Sequence, residues 1–334
     1  MKKIWVLSLL LILVYATGCS LTQKEFYEMN IFEEKNHLEI WKDNLPHDTT
    51  FQVIDEDSVL GLIIEKDGKE VFAVSYEPQE YKNSFDYWRV SIPYKSLPVA
   101  NTEELYRLFA KIAQLETDEK AADNISDTGL EGSETAIFIV YAVKENIVTG
   151  KFMEPIRCRR LLIGSEDGNG NYYAAYENTD HIFCITKDDV DAVIELDPYQ
   201  YILKIPTLVS AESISRLHIF SESKNYTMIR EEQQWKLNGR AVTKAQFQSY
   251  YQALQGITIM GEVETEDTAD IENRSAAVTL QFIRDNKAAP DVEICYYEYN
   301  DERMIVAVNE EIYFWAERDN VLQLQETIKA AAHD

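Results

Sequence analysis

Residues 213–254 read SISRLHIFSESKNYTMIREEQQWKLNGRAVTKAQFQSYYQAL, and they decide the fold. Ile214, Leu217 and Ile219 predict a strand, and a short polar turn leads into a second strand over 226–229. Trp235 follows, and then a capped amphipathic helix. Thr243 with Gln246 three residues on makes a capping box. Phe247, Tyr250, Tyr251 and Leu254 then share one face, and Gly256 ends the helix.

A fainter copy of this order begins at Val59. Strands are expected over 59–64 and 71–75, around an Asp67-Gly68 hairpin turn, and again over 88–92 with Trp88. Asn101 caps the next helix, whose apolar face is Leu105, Leu108, Phe109 and Ile112. Setting Asn101 on Thr243 brings Glu104 to Gln246, Leu105 to Phe247, Leu108 to Tyr250 and Ile112 to Leu254 without a gap. Beyond the helix, Ile137, Ile139 and Tyr141 meet Val278, Leu280 and Phe282, and Leu161 and Ile163 meet Val292 and Ile294. Phe183, Lys187, Asp188 and Val190 meet Phe314, Arg318, Asp319 and Val321, each set opening a second helix.

The expected fold is therefore α+β. Two tandem similar units, each an antiparallel sheet with two helices in the order β-β-β-α-β-β-β-β-α, occupy 58–197 and 213–334. The connector, 198–212, has no Gly/Ser-rich linker, so the units should pack together. The first unit is longer in two places, 76–87 and 142–160. Insertions of this kind are expected in loops, where specific contacts are most readily added.

The chain has 334 residues, 46% hydrophobic and 27% charged, which suits about two globular domains. Its N-terminus reads as a leader, residues 1–18. Lys2 and Lys3 precede an apolar run over 4–14, and Ala16-Thr17-Gly18 stand before Cys19. The string Tyr15-Ala16-Thr17-Gly18-Cys19 resembles a bacterial lipobox. That resemblance implies acylation of the Cys19 sulfur, cleavage before it, and an extracytoplasmic, membrane-anchored address. Residues 19–57 are polar and acidic with scattered aromatics (Phe26, Tyr27, Phe32, Trp41), and are expected to form a tether that becomes a leading strand near 51–54.

A net charge of −26 argues against binding a phosphate backbone and leaves attachment at the membrane to the anchor. Besides Cys19, only Cys158, Cys184 and Cys295 remain, an odd set that forms no disulfide framework. Cys158 and Cys184 could pair, or all three could be free thiols.

By this point the residues resemble a bacterial family, the "domain of unknown function 4340" proteins, over about 58–330. The resemblance rests on the strands before Trp235-Lys236-Leu237, with Lys224 and Tyr226. It rests also on Asp127-Thr128-Gly129-Leu130 leading into 136–141, and on the final hairpin of 304–308 with 312–315. The second copy departs from it at Ala269-Asp270-Ile271. The resemblance implies lipid-anchored or membrane-tethered extracytoplasmic proteins, some encoded near ABC-type transport components, and no defined activity.

Signs of chemistry are few. His37, His47, His181, His218 and His333 sit in tether, loop, strand or tail positions. No nucleophile-elbow, zinc-protease or phosphate-loop string is present. Asp167, Asn169 and Asn171 begin like a calcium loop, but Tyr172 stands where glycine is needed and Asn178 where glutamate is needed. The same residues, between expected strands at 161–163 and 172–176, read as an ordinary hairpin turn in preference to a calcium site. Glu262, Glu264, Glu266, Asp267 and Asp270 form an acidic run without an evident partner. No cofactor is expected. The reading that follows is a non-catalytic, lipid-anchored extracytoplasmic scaffold or binding protein, accessory to an ABC-type membrane transport complex. The rival is a cell-surface hydrolase acting on wall glycan or peptide through paired acids.

Overall fold

A computed structural model describes residues 58–331 apart from short stretches, of which 77–87, 147–150 and 286–290 are the longest. It also describes Leu38, Lys42, Leu45 and His47. The leader, Cys19, the aromatics expected in the tether, the leading strand at 51–54, and His37 and His333 lie outside the described residues.

The first unit runs β1 (Val59–Lys66), β2 (Lys69–Tyr76), β3 (Trp88–Ile92), α1 (Thr102–Gln114), β4 (Ala136–Asn146), β5 (Lys151–Glu166), β6 (Asn171–Tyr176), β7 (Ile182–Thr186) and α2 (Lys187–Ile194). The second runs β8 (Ile214–Ser221), β9 (Asn225–Glu231), β10 (Gln234–Leu237), β11 (Arg240–Val242), α3 (Lys244–Gln255), β12 (Ile259–Glu262), β13 (Val278–Arg284), β14 (Val292–Glu298), β15 (Arg303–Val308), β16 (Glu311–Glu317) and α4 (Arg318–Ala331). The first sheet is ordered β3-β2-β1-β4-β5-β6-β7. The second contains the same path, β10-β9-β8-β13-β14-β15-β16, with the short β11 and β12 added at its edges. All the ladders between these strands are antiparallel. The expected α+β class is therefore present in both units; the expected element order is that of the first, and the second adds β11 and β12 to it.

The likeness reaches individual contacts. The first residue of α2, Lys187, pairs with Glu166 at the end of β5, and its N–H donates to Gly170 O at 3.0 Å. The first residue of α4, Arg318, pairs with Glu298 at the end of β14 (2.8 Å), and its N–H donates to Glu302 O at 2.9 Å. The Asp67-Gly68 turn has φ of 51° and 71°, the left-handed pair that joins twisted strands without splaying them. The capping box of α3 forms with both of its hydrogen bonds. Asn101 sits at the N-cap of α1, but its side chain makes no capping bond.

Three expectations change. First, the insertion at 142–160 is not a loop. β1 accompanies β4 only as far as Tyr141, while β4 and β5 go on pairing with each other to Asn146 and Lys151. Extending the ladder satisfies the added backbone groups, which a loose loop would leave to water.

Second, Leu161 lies opposite Ile137, whereas Val278, the counterpart of Ile137, lies opposite Tyr296. Leu161 thus corresponds to Tyr296 rather than Val292. The shift is four residues, an even number, so the same face stays inward. It also places Arg159 where the second unit has Ile294. Arg159 is 1% exposed, with its guanidinium 5.4 Å from the Tyr141 ring and 5.1 Å from the Tyr176 ring.

Third, part of the expected tether belongs to the folded body. Leu38 is fully buried, and Leu45 is 9% exposed.

One apolar core runs through both units. Leu62, Ile64, Ile137 and Ile139 meet α1 and α2 on one side of the first sheet, and Leu217, Ile219, Leu280 and Phe282 do the same beneath α3 and α4. The connector stitches the two sheets together. Pro98 and Ala100 bond to β3 at Val90 N and Trp88 O, Leu203 N donates to Val99 O at 2.7 Å, and Ile259 N of β12 donates to Lys204 O at 2.8 Å. Tyr94, fully buried, reaches across to pack on Tyr313 and Phe314.

Candidate functional site

Side chains alternate along a strand, so each sheet has a second face pointing away from its helices. In the first sheet this outer face carries Gly61, Ile63, Phe138, Val140 and Cys158, all buried. Leu38 lies so close over Gly61 that a Cβ there would come within 2.3 Å of its Cδ2, which is why glycine occupies a strand position. His47 bridges alongside Cys158, whose thiol points to Leu45 O at 3.7 Å. The chain thus covers its own sheet with a strap, of which Leu38, Lys42, Leu45 and His47 are described.

A clasp of charges rims this strap. Lys42 Nζ lies 2.6 Å from both Glu65 and Glu70. Arg160 reaches Glu65 at 2.6 Å and Glu177 at 3.3 Å, and His47 Nδ1 lies 2.9 Å from Glu177. Burial opposes the charge on Glu65, yet the hydrogen bonds from Lys42 and Arg160 outweigh it and hold the carboxyl below its ordinary range. Solvent reaches a third of the Lys42 and Glu70 side chains, so each such pair contributes only about 0.2–1 kcal/mol.

The second sheet has the same face without a described strap. Gly61 pairs with Val140 and His218 with Gln281, so Gly61 and His218 are counterparts, as are Ile63 and Phe220. His218, Phe220, Thr227, Thr279, Gln281, Glu293, Cys295 and Tyr297 are all half-buried. They are ordered by contacts within the face. His218 Nδ1 lies 3.0 Å from Thr227 Oγ1, Gln281 donates to Glu293 at 2.5 Å, and Thr279 and Cys295 approach to 3.6 Å. His218 stacks on Phe220 at 5.7 Å, and Arg303 lies 4.1 Å above the Trp315 ring. Leu130 and Ile271, at equivalent places outside the sheets, are each 1% exposed.

This face is not arranged for nucleophilic catalysis. Burial is the main cause pushing the Cys295 thiol up, and burial with nearby Arg216 pushes His218 down. β13 separates the strands that carry them. It is a polar and aromatic surface suited to contact.

The residues singled out from the sequence fall elsewhere. Asp167, Asn169 and Asn171 do come together, in the β5–β6 hairpin. There the Asp167 carboxylate accepts from Asn169 N (2.7 Å), Asn171 N (3.1 Å) and Asn171 Nδ2 (2.9 Å), which holds its carboxyl down at about 2. Oxygens so occupied by N–H donors close a turn rather than face a cation. Among the described residues, no group of three His, Cys, Asp or Glu could hold a metal ion. Cys158, Cys184 and Cys295 are free thiols, and β6 stands between the strands carrying Cys158 and Cys184.

Of the acidic run, Glu262 has a positioned partner, the Tyr94 hydroxyl at 2.7 Å. Glu266, Asp267 and Asp270 lie outside the described residues. Beside Glu262 stands Lys204, its ammonium over the Tyr199 ring and donating to the Tyr199 carbonyl. Burial pushes it down to about 8 against the pull of Asp197 and Glu262. The Tyr94–Glu262 bond ties one unit to the other, while Lys204 and Tyr199 belong to the connector between them, so this cluster is a joint. Tyr94 and Glu262 are remote in sequence and carry no motif that could have marked them.

A family model described as "Domain of unknown function (DUF4340)" matches residues 88–274, more than half of the chain. This chain belongs to the DUF4340 family. The match begins at Trp88 and ends before β13, so it spans the joint and covers less of the chain than the 58–330 read from the sequence. No curated protein and no solved structure matches the chain. Within this DUF4340 protein, Asp127-Thr128-Gly129-Leu130 packs tightly against β5, with Ser165 N donating to Thr128 O at 2.8 Å. A Cβ on Gly164 would come within 2.2 Å of that same oxygen. The element is a packing device.

Proposed function

We propose that this DUF4340 protein is a non-catalytic, lipid-anchored scaffold or binding protein on the extracytoplasmic side of a bacterial membrane, serving a membrane transport complex. Its contact surface is the outer face of the second sheet, and the occupant is a polypeptide segment of the membrane partner. One observation carries this reading. The same face of the first sheet already holds residues of the chain itself, with Leu38 over Gly61, the counterpart of His218, and His47 bridging beside Cys158. The Tyr15-Ala16-Thr17-Gly18-Cys19 string supports the address, and the family resemblance supports the transport association.

The anchor is tested by Cys19→Ala. The variant should leave the membrane pellet or persist as an uncleaved precursor without incorporated acyl chain. Unchanged acylation and fractionation would contradict it.

A further inference from the structure

We propose that Asn169 is a site of spontaneous covalent modification, at which the β5–β6 hairpin converts to an aspartate or isoaspartate form. The chain has two Asn-Gly pairs, Asn169-Gly170 and Asn238-Gly239, and both asparagines are exposed. In such a pair the glycine nitrogen has no side chain beside it to hinder attack on the asparagine amide. The Gly170 nitrogen bonds to Asn169 Cγ, the Cγ–Nδ2 bond breaks, and the displaced amine takes up the glycine proton and leaves as ammonia. Water then opens the cyclic imide. Opening at Cγ gives aspartate, and opening at the main-chain carbonyl carbon gives isoaspartate; no oxidant or reductant is needed.

The fold separates the two pairs. Asn238 sits in a tight turn between β10 and β11, with φ of 48°. Its side-chain oxygen accepts from Thr227 N at 2.8 Å, and its own N–H donates to Thr227 O at 2.8 Å. That side chain is turned across the hairpin and must be released before Gly239 can reach it. Asn169 lies in a bend outside both strands, between Gly168 and Gly170 at φ of 81° and 89°. Its side-chain nitrogen has only a long contact to Asp167, 3.4 Å, while the short bonds to Asp167 come from Asn169 N and from Asn171. The site is coupled to the fold, because the Gly170 carbonyl accepts from Lys187 N, the first residue of α2. Either product places a second carboxylate beside Asp167, and isoaspartate also lengthens the main chain just before that carbonyl.

The test incubates the folded full chain in mildly alkaline buffer made with heavy-oxygen water and follows both sites by peptide mass spectrometry. A second sample in concentrated urea gives the rates without the fold. Opening one hydrogen bond at Asn238 should make Asn169 react about fivefold faster than Asn238 in the folded chain. In urea the two should react alike. The product at Asn169 should carry heavy oxygen and include isoaspartate, the mark of the imide, and Asn169→Gln should abolish it. Equal folded rates at the two sites, or an Asn169 that reacts in urea but not in the folded chain, would overturn the proposal. So would a mass gain that persists in Asn169→Gln, which would place the reaction at Asn171.

Discussion

Gly61 and His218 hold the same ladder position in two copies of one sheet, one opposite Val140 and the other opposite Gln281. Gly61 is buried under Leu38, while His218 is half-exposed beside Thr227. The duplication therefore supplies an internal comparison. One fold has been used twice, and the copies diverge on the outer face as well as in the core, where Arg159 stands in the place of Ile294.

Gly61→Val tests the close packing of the strap. The added carbons have no room under Leu38, and overpacking of this kind costs about 1–3 kcal/mol. His218→Ala at the counterpart position should change stability by no more than about 0.5 kcal/mol. Urea unfolding of both variants measures the difference.

The helix caps give a second contrast. Thr243→Ala breaks a complete capping box and should cost about 0.5–2 kcal/mol. Asn101→Ala removes no capping bond and should cost far less, although both residues occupy the same position in their units. Equal losses in thermal unfolding would show that Asn101 caps α1 after all.

Tyr296→Phe should stabilise the protein. The hydroxyl is fully buried in the second unit and meets no hydrogen-bond partner among the described residues, so its desolvation is uncompensated. Removing it should raise stability by about 1 kcal/mol, measured by urea unfolding.

Lys204 predicts a pH dependence of definite sign. Its folded pKa is depressed to about 8, below the ordinary lysine value near 10.4, so the unfolded chain binds more protons between the two. Stability should rise as pH climbs from 8 towards 10, and Lys204→Met should flatten that rise. Partial exposure of the side chain reduces its size through solvent screening. A fall over that window in the natural chain would contradict the burial of this amine.

Much of this architecture was legible because periodicity and capping act locally. The face of Leu105, Leu108, Phe109 and Ile112, the Asp67-Gly68 turn and the Thr243 box each lie within one element and appear as expected. The strap was illegible because Leu38 and Leu45 gain meaning only over Gly61 and beside Cys158, both remote in sequence. β11 and β12, at three and four residues, are too short to show alternation. The four-residue register shift escaped because an even slip leaves the apolar pattern unchanged. The candidate site escaped for a related reason. His218, Thr279 and Gln281 are ordinary outward-facing strand residues, and only comparison with the covered sheet marks them.

The central claim is that the outer face of the second sheet holds a segment of a membrane partner. The most direct measurement places a photo-crosslinking residue at Gln281 in the full-length protein in intact cells, with Lys111 on the exposed side of α1 as the control position. The account predicts one discrete adduct to a membrane protein from Gln281, none from Lys111, and loss of the adduct when Phe220→Asp is added. Adducts of equal yield from both positions, or an adduct indifferent to Phe220→Asp, would contradict it.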